Sequence, residues 1–136
     1  MKIDFAQHGS FTLTVENNVI VATLNGSWNK EAAVAYKNQF MHVAQPLIGN
    51  PWGHIVYLDE WELCEAEMFQ VIIPLVTWCI DNGLQKAAHI YSKSAIKKHF
   101  LDQMVVERHG DFERCIFTSK TEAADWLAES DFIVQR

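Results

Sequence analysis

Phe11-Thr12-Leu13-Thr14-Val15-Glu16-Asn17-Asn18-Val19-Ile20-Val21-Ala22-Thr23-Leu24-Asn25-Gly26 decides the fold. Its first six residues alternate strictly, so Phe11, Leu13 and Val15 share one face of a strand. Asn tolerates φ > 0, and Asn17-Asn18 therefore suits a two-residue hairpin turn. The continuous β-prone run 19–24 reads as a strand covered on both faces, ended by Gly26.

After this hairpin the hydrophobic period changes to that of a helix. Asn29 is a good N-cap for a first helix whose stripe is Tyr36, Phe40, Val43, Ala44 and Leu47, and Pro46 ends it by restricting Gln45. Ile55-Val56-Tyr57-Leu58 is a short buried strand ending at Asp59. A second helix over 65–81 carries two apolar seams. Met68, Ile72, Leu75 and Cys79 form one, and Phe69, Ile73, Val76 and Ile80 form the other. Pro74 predicts a kink, and Asn82-Gly83 a left-handed stop.

The strand 87–91 comes next. Ser92 or Ser94 then caps a third helix with Ile96, Phe100 and Met104 inward and Lys97, Lys98 and Asp102 outward. Cys115-Ile116-Phe117 is a last strand. Ser119-Lys120-Thr121-Glu122 matches a capping box, and the helix it opens presents Ala123, Trp126 and Leu127. The order β-β-α-β-α-β-α-β-α implies an α/β fold: a mixed five-stranded sheet with an opening antiparallel hairpin, the remainder parallel, and four helices.

At 136 residues the chain reads as a single domain over 1–136. Hydrophobic residues make up 49% and charged residues 21%, near the globular average. Eleven basic against 17 acidic residues give a net charge of −6. That balance argues against nucleic acid or an anionic membrane as the main partner, because both need clustered Lys and Arg. Cys64, Cys79 and Cys115 are too few and odd in number for a disulfide framework. With no apolar signal segment at the N-terminus, the expectation is a cytoplasmic protein. The longest apolar run, 71–80, is too short for stable membrane insertion, which takes about 20 residues.

The hairpin, the Ile55-Val56-Tyr57-Leu58-Asp59 strand leading to a helix, Gly26-Ser27-Trp28 before the first helix, and the closing S-x-x-E helix resemble the STAS, or SpoIIAA-like, family. That family includes bacterial anti-sigma-factor antagonists and is architecturally akin to the CRAL–TRIO lipid-binding domains. The resemblance implies a regulatory module acting through a protein partner. Phospho-switched antagonists carry an Asp-Ser pair after the third strand. The corresponding stretch here, Asp59-Glu60-Trp61-Glu62-Leu63-Cys64-Glu65-Ala66-Glu67, has no Ser or Thr. The usual switch therefore cannot operate there. The acidic cluster instead suits a helix N-terminus.

No Gly-rich phosphate loop, no G-x-S-x-G elbow, no C-x-x-C and no metal-spaced histidine pair occurs in the chain. No catalytic residue, metal or cofactor is therefore assigned. Cys64 sits among Glu62, Glu65 and Glu67, whose charge opposes thiolate formation. Ligands of open α/β sheets bind beyond the carboxyl ends of the strands. Trp28, Asp59, Trp61, Glu65 and Ser92 all fall there and form the candidate ligand- or partner-binding edge. The surplus seam Phe69, Ile73, Val76 and Ile80 is a candidate self-association face, giving a homodimer, or a pocket wall. The reading is a non-enzymatic binding or regulatory module acting through a protein partner or a small apolar ligand. A carrier of lipid or another hydrophobic molecule, and a carboxylate-dependent hydrolase or transferase using Asp59, are the alternatives.

Overall fold

The computed structural model describes residues 8–135, without the side chains of Leu63 and Cys64. The opening hairpin pairs β1 (Ser10–Glu16) with β2 (Val19–Trp28) antiparallel, Phe11 facing Leu24 and Val15 facing Ile20. Asn17 takes the left-handed conformation, φ 53°, that the two-residue turn requires. From β2 onward the chain adds parallel strands: β3 (Trp52–Tyr57), β5 (Leu84–Ile90) and β7 (Phe112–Phe117). These five strands are the expected mixed sheet. Two short strands extend it beyond expectation. β4 (Trp61–Cys64) pairs with β2, and β6 (Arg108–His109) closes the far edge antiparallel to β7. The spatial order is β1-β2-β3-β5-β7-β6, with β4 beside β2.

Four helices cover the sheet: α1 (Lys30–Ala44), α2 (Phe69–Asp81), α3 (Ala95–Met104) and α4 (Lys120–Ala128). Three begin on the side-chain caps read from the sequence. Asn29 Oδ1 accepts the Ala32 N–H at 3.0 Å, Ser94 Oγ accepts that of Lys97 at 3.2 Å, and Ser119 Oγ accepts that of Glu122 at 3.1 Å. The second helix differs from expectation. Only the end of the acidic stretch after Asp59, Glu65 and Glu67, stands at a helical N-terminus. The stretch runs through β4 and a 3-10 turn, Ala66–Met68, before α2 begins at Phe69, a few residues later than expected.

α1, α2 and α3 pack on one face of the sheet. There the first seam, Met68 of the 3-10 turn with Ile72, Leu75 and Cys79 of α2, is buried. On the other face Ala123, Ala124 and Leu127 of α4 bury Ala88 and Ile90, while Phe132 and Val134 of the C-terminal tail bury Val19 and Ile55. The tail is tied to the hairpin. Asn17 Nδ2 donates to the Ile133 carbonyl at 2.9 Å, Asn18 Nδ2 to that of Asp131 at 3.1 Å, and Glu16 accepts the Gln135 N–H at 3.0 Å. Phe132 sits so close to Gly53 that a Cβ there would lie 3.0 Å from its ring. The turn asparagines thus hold the tail as well as shaping the turn. Among the described residues no helix is long and apolar enough to cross a membrane.

Candidate functional site

Asp59 follows β3 at the carboxyl end of the sheet, where a strand ends with unmatched carbonyls. Its Oδ1 accepts the backbone N–H of Ser92, beyond β5, at 2.7 Å. Lys97 reaches back from α3, and its Nζ donates to the carbonyls of Leu58 at 2.8 Å and Asp59 at 2.9 Å. Lys97 was expected to point outward, and Ile96 inward. Instead Lys97 is half-buried on these carbonyls and Ile96 is exposed. The Leu58 carbonyl, which also accepts the Trp61 N–H at 3.2 Å, and the Asp59 carbonyl draw the ammonium in.

The other candidate residues of this edge divide between surface and core. Asp59, Glu60, Glu62, Glu65, Glu67 and Ser92 are exposed. Backbone bonds hold the acidic strip: Gly26 N–H to the Glu60 carbonyl at 2.8 Å, and Glu65 N–H to that of Trp28 at 3.2 Å. Ser27 Oγ also donates to Glu62 at 2.9 Å. Trp28 and Trp61, by contrast, are 2% and 0% exposed. Neither ring belongs to a surface edge. The structure brings Asp59 together with Ser92, and Trp28 with the Glu65 backbone, but it places the two indoles on the helical side of the sheet.

There the indoles line a cavity of about 90 Å³ beneath α2, with His54, Leu75, Cys79 and His89 in its wall. Burial lowers the His54 imidazole to about 4, partly offset by its Nδ1–H donating to the Ile20 carbonyl at 2.9 Å. His89 is lowered well below its ordinary value, by burial first and then by the nearby Arg114 guanidinium. Burial also raises the Cys79 thiol and the Tyr36 phenol. The cavity is thus lined by groups held neutral. Trp28 Nε1 donates to the Asn25 carbonyl at 3.0 Å. Trp61 Nε1 and His89 Nδ1 have no hydrogen-bond partner among the described residues.

The second seam of α2 is shared among three environments. Phe69 packs on Phe100 of α3, ring centroids 6.1 Å apart. Val76 lines the cavity and also a surface groove of about 190 Å³, where it meets Ile73, Ile80, Met104 and Val106. Ile73 remains 44% exposed. α3 therefore covers part of the surplus seam, and the rest faces outward.

A larger groove opens on the opposite face, beside α4. It holds about 530 Å³ and is floored by Val21, Thr23, Ile55 and Tyr57 of β2 and β3. Glu16, Asp59 and Glu60 supply carboxylates to its walls, against the single cation Lys120. α4 packs on β5 and β7, which leaves β2 and β3 covered here only by the tail at Val134 and Gln135. Sequence reasoning placed Asp59 at this edge but missed the rest of the groove. Val21, Thr23 and Tyr57 are half-exposed and alternate with core positions of the same strands, but nothing in their sequence says that this stretch of the face is left open. Among the described residues no cluster of three or more His, Cys, Asp or Glu could hold a metal ion.

No family model matches the chain, and no curated protein matches it. Solved structures do. An uncharacterised protein of the DUF3478 family from Shewanella loihica PV-4, described as having a SpoIIAA-like fold, is 12% identical, with a TM-score of 0.65 over 93% of this chain and 99% of that one. The protein TM1081, solved by NMR, is 17% identical, with a TM-score of 0.61 over 94% and 96% of the two chains. The anti-sigma factor antagonist SpoIIAA in its unphosphorylated form is 11% identical, with a TM-score of 0.55 over 88% and 98%. The hairpin, the parallel strands that follow it and the helices on both faces therefore make up a SpoIIAA-like fold.

Proposed function

We propose that this chain is a cytoplasmic, non-enzymatic regulatory module that binds a protein partner along the groove between Asp59 and Lys120. The observation that carries this reading is the groove itself, an apolar sheet floor at the carboxyl ends of β2 and β3 under carboxylate-rich walls. Beyond Glu60 the chain carries three more exposed carboxylates, Glu62, Glu65 and Glu67, on β4 and the turn before α2. This geometry suits a partner segment carrying apolar side chains for the floor and Lys or Arg for the rim. Lys97, Ser92 and the β4 pairing hold the edge in place, so little ordering entropy is lost when a partner docks. Asp59 is bound to the Ser92 backbone, which gives its carboxylate a positioning role and weighs against general acid or base chemistry.

One solved structure of this fold is an anti-sigma factor antagonist named in its unphosphorylated form. A protein-binding role for this chain is consistent with that likeness. Stretch 59–67 has no Ser or Thr, so association here is constitutive with respect to phosphorylation of that stretch.

The test is affinity for the isolated partner, measured by calorimetry at two salt concentrations. The double variant Glu60→Lys and Glu65→Lys weakens binding at least tenfold, and Lys120→Glu strengthens it. Both effects shrink at high salt. Equal affinity for all three proteins would overturn the reading.

A further inference from the structure

The sheet has two edges, and only one is protected. At the far edge β6 is two residues long and carries Arg108, whose Nη2 is held by Glu113 at 2.9 Å. Short, charged edge strands resist pairing with another chain. The other edge is β1, seven residues that pair with β2 alone among the described residues. Its register runs unbroken from Ser10 opposite Asn25 to Glu16 opposite Val19, so no bulge twists it away. Residues 10–15 contain no charge and no proline. None of the usual protections of an edge is present on β1.

The two-residue turn makes Glu16 and Val19 a hydrogen-bonded pair. Alternation then turns the N–H and C=O of Phe11, Leu13 and Val15 away from β2, toward the open edge. A strand docking antiparallel must offer outward groups at matching positions, and β1 offers them to itself. With Leu13 opposite Leu13 of a second copy, all seven residues overlap. Phe11 meets Val15, Thr12 meets Thr14 and Ser10 meets Glu16. A one-residue slip opposes inward-turned to outward-turned amides. A slip of two sets Phe11 against the left-handed Asn17, or Val15 against the left-handed Gly9.

The pairs also match in character. Phe11 and Leu13 lie on the helical face with Val15, which is 43% exposed and gains the Phe11 ring as cover. Ser10, Thr12 and Thr14, all exposed, share the other face with Glu16. Aromatic–β-branched and Thr–Thr pairs are favourable cross-strand neighbours. The strand's one carboxylate faces a serine hydroxyl instead of its own copy. α1 packs over β1 and β2, so its copy lies two strand spacings away. That is about 9.5 Å, a distance at which helices pack.

We propose that the chain self-associates through β1, two copies pairing antiparallel about Leu13 into one continuous sheet. This surface is distinct from the surplus seam of α2 and does not depend on the partner groove. The two-fold axis stands perpendicular to the sheet, so both acidic grooves open on the same face of the doubled sheet.

The test is sedimentation equilibrium of the full chain and its variants, with circular dichroism checking that each is folded. The wild type sediments at twice the chain mass. Thr12→Lys with Thr14→Lys sets two pairs of ammonium groups opposite each other and raises the dimer dissociation constant at least about tenfold. Thr12→Glu with Thr14→Glu does the same. An equimolar mixture of the two double variants dimerises again, because each Lys then faces a Glu. Val15→Pro deletes an amide that β2 does not use, and it gives the same loss if the lysine variant does not fold. A monomeric wild type, a folded lysine or proline variant that dimerises as tightly as the wild type, or a mixture that stays monomeric would overturn the proposal.

Discussion

Lys97 Nζ sits 2.8 Å from the carbonyl of Leu58 and 2.9 Å from that of Asp59, fastening α3 to the end of β3. Asp59 passes the connection on to Ser92 at 2.7 Å. Two segments distant in sequence, 58–59 and 92–97, thereby meet at one edge. Lys97→Met keeps the side-chain length and removes both bonds, so it costs about 1–2 kcal/mol of stability. Asp59→Ala costs about 1 kcal/mol and speeds hydrogen exchange at the Ser92 amide. Chemical denaturation and exchange measured by NMR check both values.

Arg114 is almost wholly buried, with 1% of its side chain exposed, and its Nη2 donates to Asp102 at 2.5 Å. Asp102 is 39% exposed and also accepts from Lys98 at 2.8 Å. These two hydrogen bonds, Lys98 first and Arg114 second, hold the Asp102 carboxyl below its usual range. Asp102→Ala leaves the buried guanidinium with only the largely exposed Glu107 carboxylate, 3.8 Å away. The expected loss is about 2 kcal/mol, less than for a fully buried pair because Asp102 faces water. Arg114→Met removes the charge together with the partner's need for it and costs less. Urea unfolding of the two variants decides the order.

His54 and His89 make stability depend on pH. Burial lowers both imidazoles, His54 from 6.5 to about 4, so between those values the unfolded chain binds more protons than the folded one. Their contribution is therefore complete above pH about 6.5 and is lost as pH falls toward 4. The slope is about 1.4 kcal/mol per pH unit for each histidine. Urea melts at pH 7, 6 and 5 read it directly, and His54→Gln reduces it.

Phe132 is buried at the tail, against Gly53, and belongs to the second core with Val19 and Ile55. Phe132→Ala costs about 3–5 kcal/mol. Asn17→Gly retains the turn but loses the bond to the Ile133 carbonyl, so it costs only about 1 kcal/mol. Thermal denaturation of the two proteins separates turn geometry from tail anchoring.

Where a residue's burial follows from its period along the chain, the fold was legible. Phe11, Leu13, Ile20 and Ala22 fall on the helical face of the hairpin as alternation requires, and the seam from Met68 to Cys79 packs inward as the helical period requires. Features set by distant partners were not legible. Trp61 to Cys64 becomes a strand only because β2 offers it an edge, and four residues amid carboxylates carry no strand signal of their own. Trp28 and Trp61 stood at the right junctions, yet their rings turned inward because α1 and α2 leave room for them. Lys97 followed two carbonyls 38 and 39 residues earlier rather than its helical period. For the candidate site, Asp59 and Ser92 were legible as neighbours from topology. The groove floor at Val21, Thr23 and Tyr57 was not, because it exists only where α4 fails to cover the sheet.

The most direct test of the partner groove is site-specific photo-crosslinking in cells, with p-benzoylphenylalanine at Thr23 or Glu60 inside the groove and at exposed Lys30 of α1 as the control. The account predicts that both groove positions crosslink the same protein, through a segment rich in Lys and Arg, and that Lys30 does not. It also predicts that Glu65→Lys weakens the product. Crosslinking from Lys30 alone, or groove products that are acidic and indifferent to Glu65→Lys, would contradict it.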